Sequence, residues 1–231
     1  MYDHLLFDAD GTIYDFMASE EFALKNLFND AHLKIDADLL HSYHEINHAL
    51  WSDLEKGLVS LETLKIERFN KFFISQEVDF DPNQASRLYL YYLSLSHHIY
   101  DDTIDVLTKI HEHKIPMSMI TNGASNVQRG RLKATGTSHL FSFIAIGEEL
   151  GVLKPEAEFF HKTVHHIREL GLPVENPLVI GDSISSDIDG AKNANIDSCW
   201  VDRYRMEKPL VQNYAYHITQ LNQILDILSI S

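Results

Sequence analysis

The stretch His4-Leu5-Leu6-Phe7-Asp8-Ala9-Asp10-Gly11-Thr12 decides the fold of this 231-residue chain. Its apolar run predicts a buried strand, which ends where Gly11 interrupts the pattern. Residues two apart in an extended chain point to the same side, so Asp8 and Asp10 are expected to serve one site. Ligands of open α/β sheets bind in the crevice at the carboxyl ends of the strands. The stretch therefore predicts an acidic ligand site, with a plain Asp-x-Asp-Gly turn as the alternative.

The composition is typical of a soluble globular protein, with 45% hydrophobic and 23% charged residues. The net charge of −15 argues against nucleic acid or an anionic membrane surface as a partner. The single cysteine, Cys199, excludes an internal disulfide and fits a reducing compartment. No apolar run approaches the ~20 residues of a membrane span, and no signal peptide is expected before the first strand. We therefore expect a cytoplasmic protein that is a monomer or a weak homodimer.

Between about residues 16 and 95 the apolar residues recur at helical spacing. This pattern predicts four consecutive helices without an intervening strand. Ser60 is a candidate N-cap, and Asp81 followed by Pro82 is a typical helix start. We therefore predict a helical insert, residues 16–95, placed just after the first strand.

From residue 101 onward, predicted helices alternate with short apolar strands. This alternation favours an α/β fold with a mostly parallel, doubly wound sheet that is covered by helices on both faces. Residues 1–15 and 96–231 would form this core domain, with Pro155 at the first position of its third helix. The further strands are predicted at 115–120, 143–146, 178–180 and 198–201, and the helices near 103–113, 124–134, 154–170, 187–194 and 220–228.

The polar residues of interest cluster at the carboxyl ends of the predicted strands. Acidic turns should scatter over both ends of a sheet, so this one-sided distribution is more informative than any single motif. The residues concerned are Asp8 and Asp10 after the first strand, Thr121 and Asn122 after the second, Lys154 after the third, and Asp182 and Asp187 after the fourth.

These motifs, in this order, resemble the four-motif signature of the haloacid dehalogenase superfamily. The motifs are Asp8-x-Asp10-Gly11-Thr12, Thr121, Lys154-Pro155 and Gly181-Asp182-Ser183-x-x-x-Asp187. The helical insert resembles that superfamily's helical cap of the first type. The resemblance implies a Rossmann-like sheet with strand order 3-2-1-4-5.

A narrower resemblance is to the house-cleaning pyrimidine 5′-nucleotidases of the same superfamily. It rests on four segments, which are Glu45-Ile46-Asn47-x-x-Leu50-Trp51, Ile120-Thr121-Asn122-Gly123, Gln128 with Arg131-Leu132, and Gly147-Glu148-Glu149. It implies a small phosphorylated metabolite as the substrate, with a pyrimidine nucleoside monophosphate favoured.

The superfamily resemblance implies that Asp8 is a nucleophile that forms an aspartyl-phosphate. Asp10 would protonate the leaving oxygen and then activate water. Because halide leaves without a proton, Asp10 favours phosphate chemistry over dehalogenation. Mg²⁺ would be held by the Asp8 and Asp182 side chains and the Asp10 carbonyl oxygen, with Asp187 supporting these ligands from outside the coordination sphere.

The resemblance also implies a phosphate-binding group and a substrate-selecting group. Thr121, Asn122 and Gly123 would bind phosphoryl oxygens at a helix N-terminus, although a simple N-cap explains the same residues. Lys154 would offset the charge of Asp8 and the phosphate, with a solvated surface lysine as the alternative. Asn47 and Trp51 lie four apart on one helix face, where Trp51 would line a nucleobase pocket or only pack within the insert.

Three alternatives remain open from the sequence. A sugar-phosphate or phosphoglycolate phosphatase and a phosphomutase would share the aspartyl-phosphate and differ in contacts from the insert. A receiver-like signalling module also phosphorylates an Asp at a strand end with Mg²⁺. Such a module would lack both Asp10 and the helical insert.

Overall fold

A parallel six-stranded sheet forms the centre of the computed structural model, which describes residues 2–34, 36–205 and 213–230. The strand order within these residues is β3-β2-β1-β4-β5-β6. The predicted order 3-2-1-4-5 is therefore confirmed, and β6 extends the sheet beyond β5. The strands are β1 His4–Asp8, β2 Met117–Thr121, β3 Phe143–Ile146, β4 Pro177–Gly181, β5 Asp197–Val201 and β6 Tyr216–Ile218.

The central position of β1 explains why its middle residues, Leu5, Leu6 and Phe7, are apolar. It pairs with β2 on one side and β4 on the other, and all five of its residues are buried. Successive side chains of a strand point to opposite faces. Leu5 and Phe7 accordingly belong to the hydrophobic cluster on one face of the sheet, and Leu6 to the cluster on the other. This packing fixes the point at which the strand ends and Asp8 reaches the sheet edge.

Helices cover the sheet and connect its strands. The connections place the N-terminal ends of several helices beside the carboxyl ends of the strands, as a doubly wound fold requires. The helices are α5 Thr103–Glu112, α6 Ser125–Thr135, α7 Gly147–Leu150, α8 Ala157–Glu169, α9 Asp189–Asn193 and α10 Ile224–Ile227, with 3₁₀ turns at Ser138–Leu140 and Leu221–Gln223 and a π-helical turn at Ile184–Ile188.

The helical insert contains four helices within its described residues, which omit only residue 35. Each begins at a side chain that accepts a backbone N–H, which satisfies one of the donors left free at a helix start. Ser60 and Asp81 are among these caps, as predicted. The helices are α1 Phe16–Asp30, α2 Ala37–Glu55, α3 Leu61–Ser75 and α4 Pro82–Leu95.

Aromatic side chains fill the interior of the helical insert. The rings of Phe28 and Phe72 stack with centroids 5.4 Å apart, and Phe69 contacts Tyr43 at 5.6 Å and Tyr89 at 5.4 Å. These rings are buried, and such ring pairs add stability beyond the area that they bury. The insert thus has a hydrophobic core of its own.

The strand predicted at 115–120 begins two residues later, as Met117–Thr121, and three predicted helices also differ at their boundaries. Helix α8 begins at Ala157 rather than at Pro155, because the chain remains extended through Glu156, with φ −63° and ψ 129°. The helix predicted from Asp187 is preceded by the π-helical turn that starts at Ile184. The closing helix is shorter than residues 220–228 and follows a 3₁₀ turn.

Candidate active site

The predicted site residues converge on one cleft at the carboxyl ends of β1, β2 and β4. The cleft has a volume of about 930 Å³ including its open mouth. One residue of the helical insert predicted to select substrate, Trp51, lies in its wall. The predicted core residues that line it are Asp8, Asp10, Thr121, Asn122, Gly123, Lys154, Asp182 and Asp187.

Lys154 is buried between two carboxylates at the base of the cleft. Its Nζ donates to Asp8 Oδ1 at 2.5 Å and to Asp187 Oδ1 at 2.7 Å, and its side chain is only 1% exposed. Burial opposes the charged form, but Asp187 and Asp8 together raise the pKa of Lys154 above its ordinary value. The alternative of a solvated surface lysine is therefore wrong, and Lys154 supplies a fixed positive charge beside Asp8.

Three carboxylates, including that of Asp8, crowd together at this point of the cleft. Ligand oxygens of Asp8, Asp182 and Asp187 lie within 4.8 Å of one another. Burial and the neighbouring Asp187 raise the pKa of Asp182 to about 7. A divalent cation would relieve this repulsion, and a set of carboxylate oxygens is the donor set that Mg²⁺ prefers. The residues present therefore fit a magnesium ion.

Asp187 already has hydrogen-bond partners for both of its oxygens. Lys154 Nζ donates to Oδ1, and the Ser183 N–H donates to Oδ2 at 3.1 Å. Asp182 is less engaged, because the side-chain hydrogen bond that its Oδ1 accepts, from Thr12 Oγ1, is long at 3.4 Å. This difference suits Asp182 to direct metal binding and Asp187 to a supporting position.

The backbone around Asp182 is closely packed against β1 and β5. Gly11 has a φ of +88°, and a Cβ at this position would lie 2.2 Å from Asp182 Oδ2. Only glycine tolerates both the backbone conformation and the contact. On the other side, the buried Trp200 donates its indole N–H to the Asp182 carbonyl oxygen at 2.9 Å. Gly11 and Trp200 thus position Asp182, a role for Trp200 that we did not predict.

Two side chains from α6 hold Asp10. Gln128 Nε2 donates to Asp10 Oδ2 at 2.7 Å, and Arg131 donates from one guanidinium nitrogen to Asp10 Oδ1. Arg131 is fully buried, donates to Ser19 Oγ at 2.9 Å and lies 4.2 Å over the Tyr14 ring. We noted Gln128 and Arg131 in the sequence without assigning them a role. Their three-residue spacing on the helix that follows Thr121 was the signal that they share a face towards the site.

The residues after β2 contact one another and Lys154. Thr121 Oγ1 accepts the Gly123 N–H at 2.9 Å. The Asn122 amide donates to the Lys154 carbonyl oxygen and accepts the Lys154 N–H, both at 2.8 Å. The Asn122 side chain therefore positions Lys154, and the predicted phosphate contact was assigned to its backbone N–H.

The two predicted residues of the helical insert occupy different environments. Trp51 lines the cleft, whereas Asn47 is only 4% exposed and donates to Glu20 Oε1 at 2.9 Å inside the insert. Asn47 therefore lies within the insert and outside the lining of the cleft, and its role in substrate selection stays a prediction. The wall that the insert presents to the cleft includes Trp51 and Glu55.

Besides the contact between Arg131 and Ser19, two polar contacts join the helical insert to the core. Lys65 Nζ donates to Glu148 Oε1 at 2.6 Å, and Ser185 Oγ donates to Glu55 Oε2 at 2.9 Å. Glu148 also accepts the Ser125 N–H at 2.7 Å at the start of α6. The Gly147-Glu148-Glu149 segment therefore supplies an acceptor for a backbone N–H at the start of α6 and connects the helical insert to the core.

Fold and site together define an α/β protein with a helical insert over a carboxylate–lysine centre. The model of the family described as haloacid dehalogenase-like hydrolase matches residues 2–195. This chain belongs to that family, and the resemblance inferred from its motifs is confirmed.

Relatives match the chain over nearly its full length. It is 31% identical to the HAD-hydrolase YfnB of Bacillus subtilis over 231 residues, which cover 99% of this chain and 96% of YfnB. It is 32% identical over 227 residues to the pyrimidine 5′-nucleotidase PynA of Streptococcus pneumoniae, covering 98% and 95% of the two chains. It is also 26% identical to the pyrimidine 5′-nucleotidase YjjG of Escherichia coli over 229 residues, covering 98% of each. These relatives support the prediction that the chain is an enzyme of the phosphatase class.

A crystal structure of YfnB bound to magnesium, which is described as revealing interdomain movement, superposes on this chain with a TM-score of 0.90. The match covers 99% of each chain at 31% identity. It confirms the α/β fold with its inserted helices. Among the residues that the structure describes, no helix combines the length and hydropathy that a membrane crossing requires.

Proposed function

We propose that this enzyme is a Mg²⁺-dependent phosphomonoester hydrolase that acts through an aspartyl-phosphate on Asp8. The observation on which the proposal rests is the buried contact of 2.5 Å between Asp8 and Lys154, with Asp10 two residues further along the same cleft. Phosphate monoesters hydrolyse extremely slowly without a catalyst, so a covalent route with strong charge stabilisation is effective. The preferred substrates are pyrimidine nucleoside 5′-monophosphates.

The side chains of Asp8 and Asp182, with the Asp10 carbonyl oxygen, would hold the magnesium ion, and Asp187 would support them. When bound, Mg²⁺ offsets negative charge on the phosphoryl group and on the carboxylates. Lys154 offsets charge at the same place from the protein side. These local charges act at contact, whereas the net charge of −15 is screened beyond ~8 Å at physiological salt.

The proposed reaction has two steps that exchange bonds at phosphorus. In the first, an Asp8 carboxylate oxygen attacks phosphorus, the bond to the leaving oxygen breaks, and Asp10 gives its proton to that oxygen. In the second, Asp10 takes a proton from water, the water oxygen attacks phosphorus, and the Asp8–phosphorus bond breaks. Phosphate leaves, and Asp8 and Asp10 return to their initial protonation states.

Asp10 favours phosphate-ester hydrolysis over dehalogenation within this family. A leaving alkoxide needs a proton, whereas a halide does not, and Asp10 is held at the cleft by Gln128 and Arg131. The full-length similarity to PynA and YjjG supports nucleotides as substrates. Weaker similarities to a glyceraldehyde 3-phosphate phosphatase and a phosphoglycolate phosphatase support the same reaction on other leaving groups.

The test is phosphate release from a panel of nucleotides and sugar phosphates, with Mg²⁺ and with EDTA. We expect the fastest release from dUMP, UMP or dTMP, a requirement for Mg²⁺, and no turnover by Asp8→Asn. Faster turnover of sugar phosphates would contradict the substrate assignment and leave the chemistry intact. Turnover by Asp8→Asn at the wild-type rate would contradict the chemistry itself.

A further inference from the structure

A side pocket opens from the cleft between α3, α4 and α6. It is narrow, with an internal volume of about 30 Å³, so it admits the edge of a ligand, and it shares Asp10, Phe16, Trp51 and Gly123 with the cleft. Its deeper wall is mostly apolar and includes Leu61, Leu64, Leu90, Leu93 and Val127. Because the leaving oxygen must lie beside Asp10, this pocket lies where the leaving group of a substrate extends.

Arg68 lines this pocket as a buried cation whose Nε has no acceptor among the described residues. The residue is only 3% exposed, and its Nε has no hydrogen-bond partner among the described residues. No described carboxylate forms an ion pair with its guanidinium. The guanidinium lies over the Tyr89 ring at 4.3 Å, with the Tyr43 hydroxyl nearby. A buried charged donor without an acceptor is costly, which points to an acceptor supplied by a ligand.

Glu20, the buried acid in the helical insert, does not fill this role. Its Oε1 accepts from Asn47 at 2.9 Å and from Tyr89 at 3.0 Å, and its Oε2 pairs with His44 at 2.9 Å. Each Glu20 oxygen thus has a partner other than Arg68. The Nε of Arg68 is therefore left for an acceptor that a ligand in the pocket supplies.

Gln128 adds an unpartnered acceptor to the same pocket. Its Nε2 is committed to Asp10, and its Oε1 is buried with no partner among the described residues. The pocket therefore combines a donor-only guanidinium with an amide oxygen in apolar surroundings. The edge of a flat ring that carries a carbonyl and an N–H, such as that of uracil or thymine, matches both groups.

We propose that Arg68 is a specificity-determining residue that donates to a carbonyl oxygen of the nucleobase. This inference rests on the proposed function and names the contact by which the enzyme distinguishes a nucleotide from a sugar phosphate. The Tyr89 ring beneath the guanidinium restricts its orientation. Arg68 thereby contributes to substrate binding, while the phosphoryl chemistry belongs to Asp8 and Asp10.

The test compares dUMP with 2-deoxyribose 5-phosphate, which carries the same phosphate without a base. In Arg68→Met, we expect the ratio of kcat/KM for dUMP to that for the sugar phosphate to fall about 10- to 100-fold, as for the loss of a charge-assisted hydrogen bond. The loss should lie mainly in KM for dUMP. Arg68→Lys, which keeps the charge without the planar fork, should give an intermediate ratio.

Arg87→Met is the matched control, because Arg87 is exposed on the neighbouring helix α4; its ratio should equal that of the wild type. Thermal melting of each variant separates folding from binding, and Arg68→Lys keeps the test valid if Arg68→Met does not fold. If the wild type prefers dUMP but Arg68→Met loses kcat/KM equally on both substrates, this inference alone is overturned. A wild type that prefers the sugar phosphate would overturn the proposed function and this inference with it.

Discussion

Lys154 contributes to folding as well as to the chemistry, because its positive charge lies between two buried carboxylates. Asp8 and Asp187 would face each other without compensation if this cation were absent. Removing one partner of a buried ion pair is strongly destabilising, since the remaining charge is left unpaired. The same arrangement that prepares Asp8 for reaction thus contributes to folding.

We predict that Lys154→Met lowers the free energy of unfolding by about 3–5 kcal/mol in EDTA, and that Mg²⁺ restores part of the loss. The cation would occupy the acidic cluster that the lysine no longer neutralises. Urea unfolding with and without Mg²⁺ measures both effects. Lys162→Met is the control, because Lys162 is partly exposed and pairs with Glu158 at the surface; an equal loss in both variants would contradict the prediction.

The sequence predicted the site residues that follow strand ends and missed the roles of residues that come from elsewhere. Asp8, Asp10 and Asp182 follow from the strand pattern and the motifs. Gln128 contacts Asp10 across 118 residues of sequence, and no local pattern encodes such a contact. Asn122 was expected to bind phosphate through its backbone N–H, which stays a prediction, and the contact of its side chain with the Lys154 backbone was not foreseen. Hydrogen-bond partners of this kind become visible only once the chain is folded.

At the scale of elements, α6 follows the Thr121 motif at the end of β2 and places Gln128 and Arg131 against Asp10, which follows the end of β1. Its start is fixed by Glu148, which accepts the Ser125 N–H. Arg131 is buried, whereas its neighbour Arg129 is 54% exposed and pairs with Glu149. The helix therefore has one arginine that faces the site and one that faces solvent, which provides a matched comparison.

We predict that Arg131→Met lowers kcat about 10- to 100-fold, because Asp10 loses its orientation, and lowers the free energy of unfolding by about 1.5–3 kcal/mol. Arg129→Met should leave kcat unchanged and cost at most ~1 kcal/mol. Steady-state kinetics on dUMP and urea unfolding give the two quantities. Similar kcat values for the two variants would show that Arg131 does not position Asp10.

Strand β1 contains a buried histidine that makes stability depend on pH. His4 contacts the Pro173 carbonyl oxygen through Nδ1 at 2.9 Å and Ser118 Oγ through Nε2 at 2.8 Å. Burial lowers the pKa of His4 below its ordinary value of 6.5. The unfolded chain then binds this proton more readily than the folded chain, so the stability present above pH 6.5 is lost as the pH falls below that value.

We predict that the double variant His4→Val, Ser118→Ala loses less stability than the wild type between pH 7.5 and pH 5.5. Removing both partners leaves no unsatisfied hydroxyl in the core. Urea midpoints at the two pH values measure the difference. The same loss in both proteins would mean that His4 does not contribute to the acid sensitivity.

The errors at the element scale have local physical causes. Strand β6 has only three residues, Tyr216–Ile218, which is too short for a periodic pattern to indicate. The start of α8 is displaced because the Asn122 side chain binds the Lys154 backbone, which leaves Pro155 in the loop and not in the helix. Strongly periodic elements, such as the four helices of the insert, were predicted correctly.

At the scale of the whole molecule, the cleft lies between the sheet and the helical insert. The division into a core domain of residues 1–15 and 96–231 and an insert of residues 16–95 remains a prediction from the sequence pattern. The Lys65–Glu148 and Ser185–Glu55 contacts connect the two parts. Net charge and composition indicated only a broad class of protein. They did not predict the cleft, because they do not determine how the insert packs against the core.

We predict that Glu148→Gln raises KM for dUMP by up to about fivefold with little change in kcat, since a partly exposed ion pair contributes at most ~1 kcal/mol. The amide oxygen still accepts the Ser125 N–H, so only the ion pair with Lys65 is lost. Glu149→Gln is the control, because Glu149 pairs with Arg129 within the core. The wild-type KM should rise with salt, and KM of Glu148→Gln should be less sensitive to salt; equal salt dependence would contradict this role.

The most direct test of the account is to trap phosphate on Asp8. Asp10→Asn retains the nucleophile but loses the base for water attack, and p-nitrophenol leaves without needing a proton from Asp10. The variant is mixed with p-nitrophenyl phosphate and Mg²⁺, quenched with acid and treated with borohydride, which reduces an acyl phosphate to an alcohol that peptide mass spectrometry locates. The account predicts a burst of nitrophenol equal to the enzyme concentration and reduction at Asp8, with neither in Asp8→Asn. Continued nitrophenol release with unmodified Asp8 would contradict it.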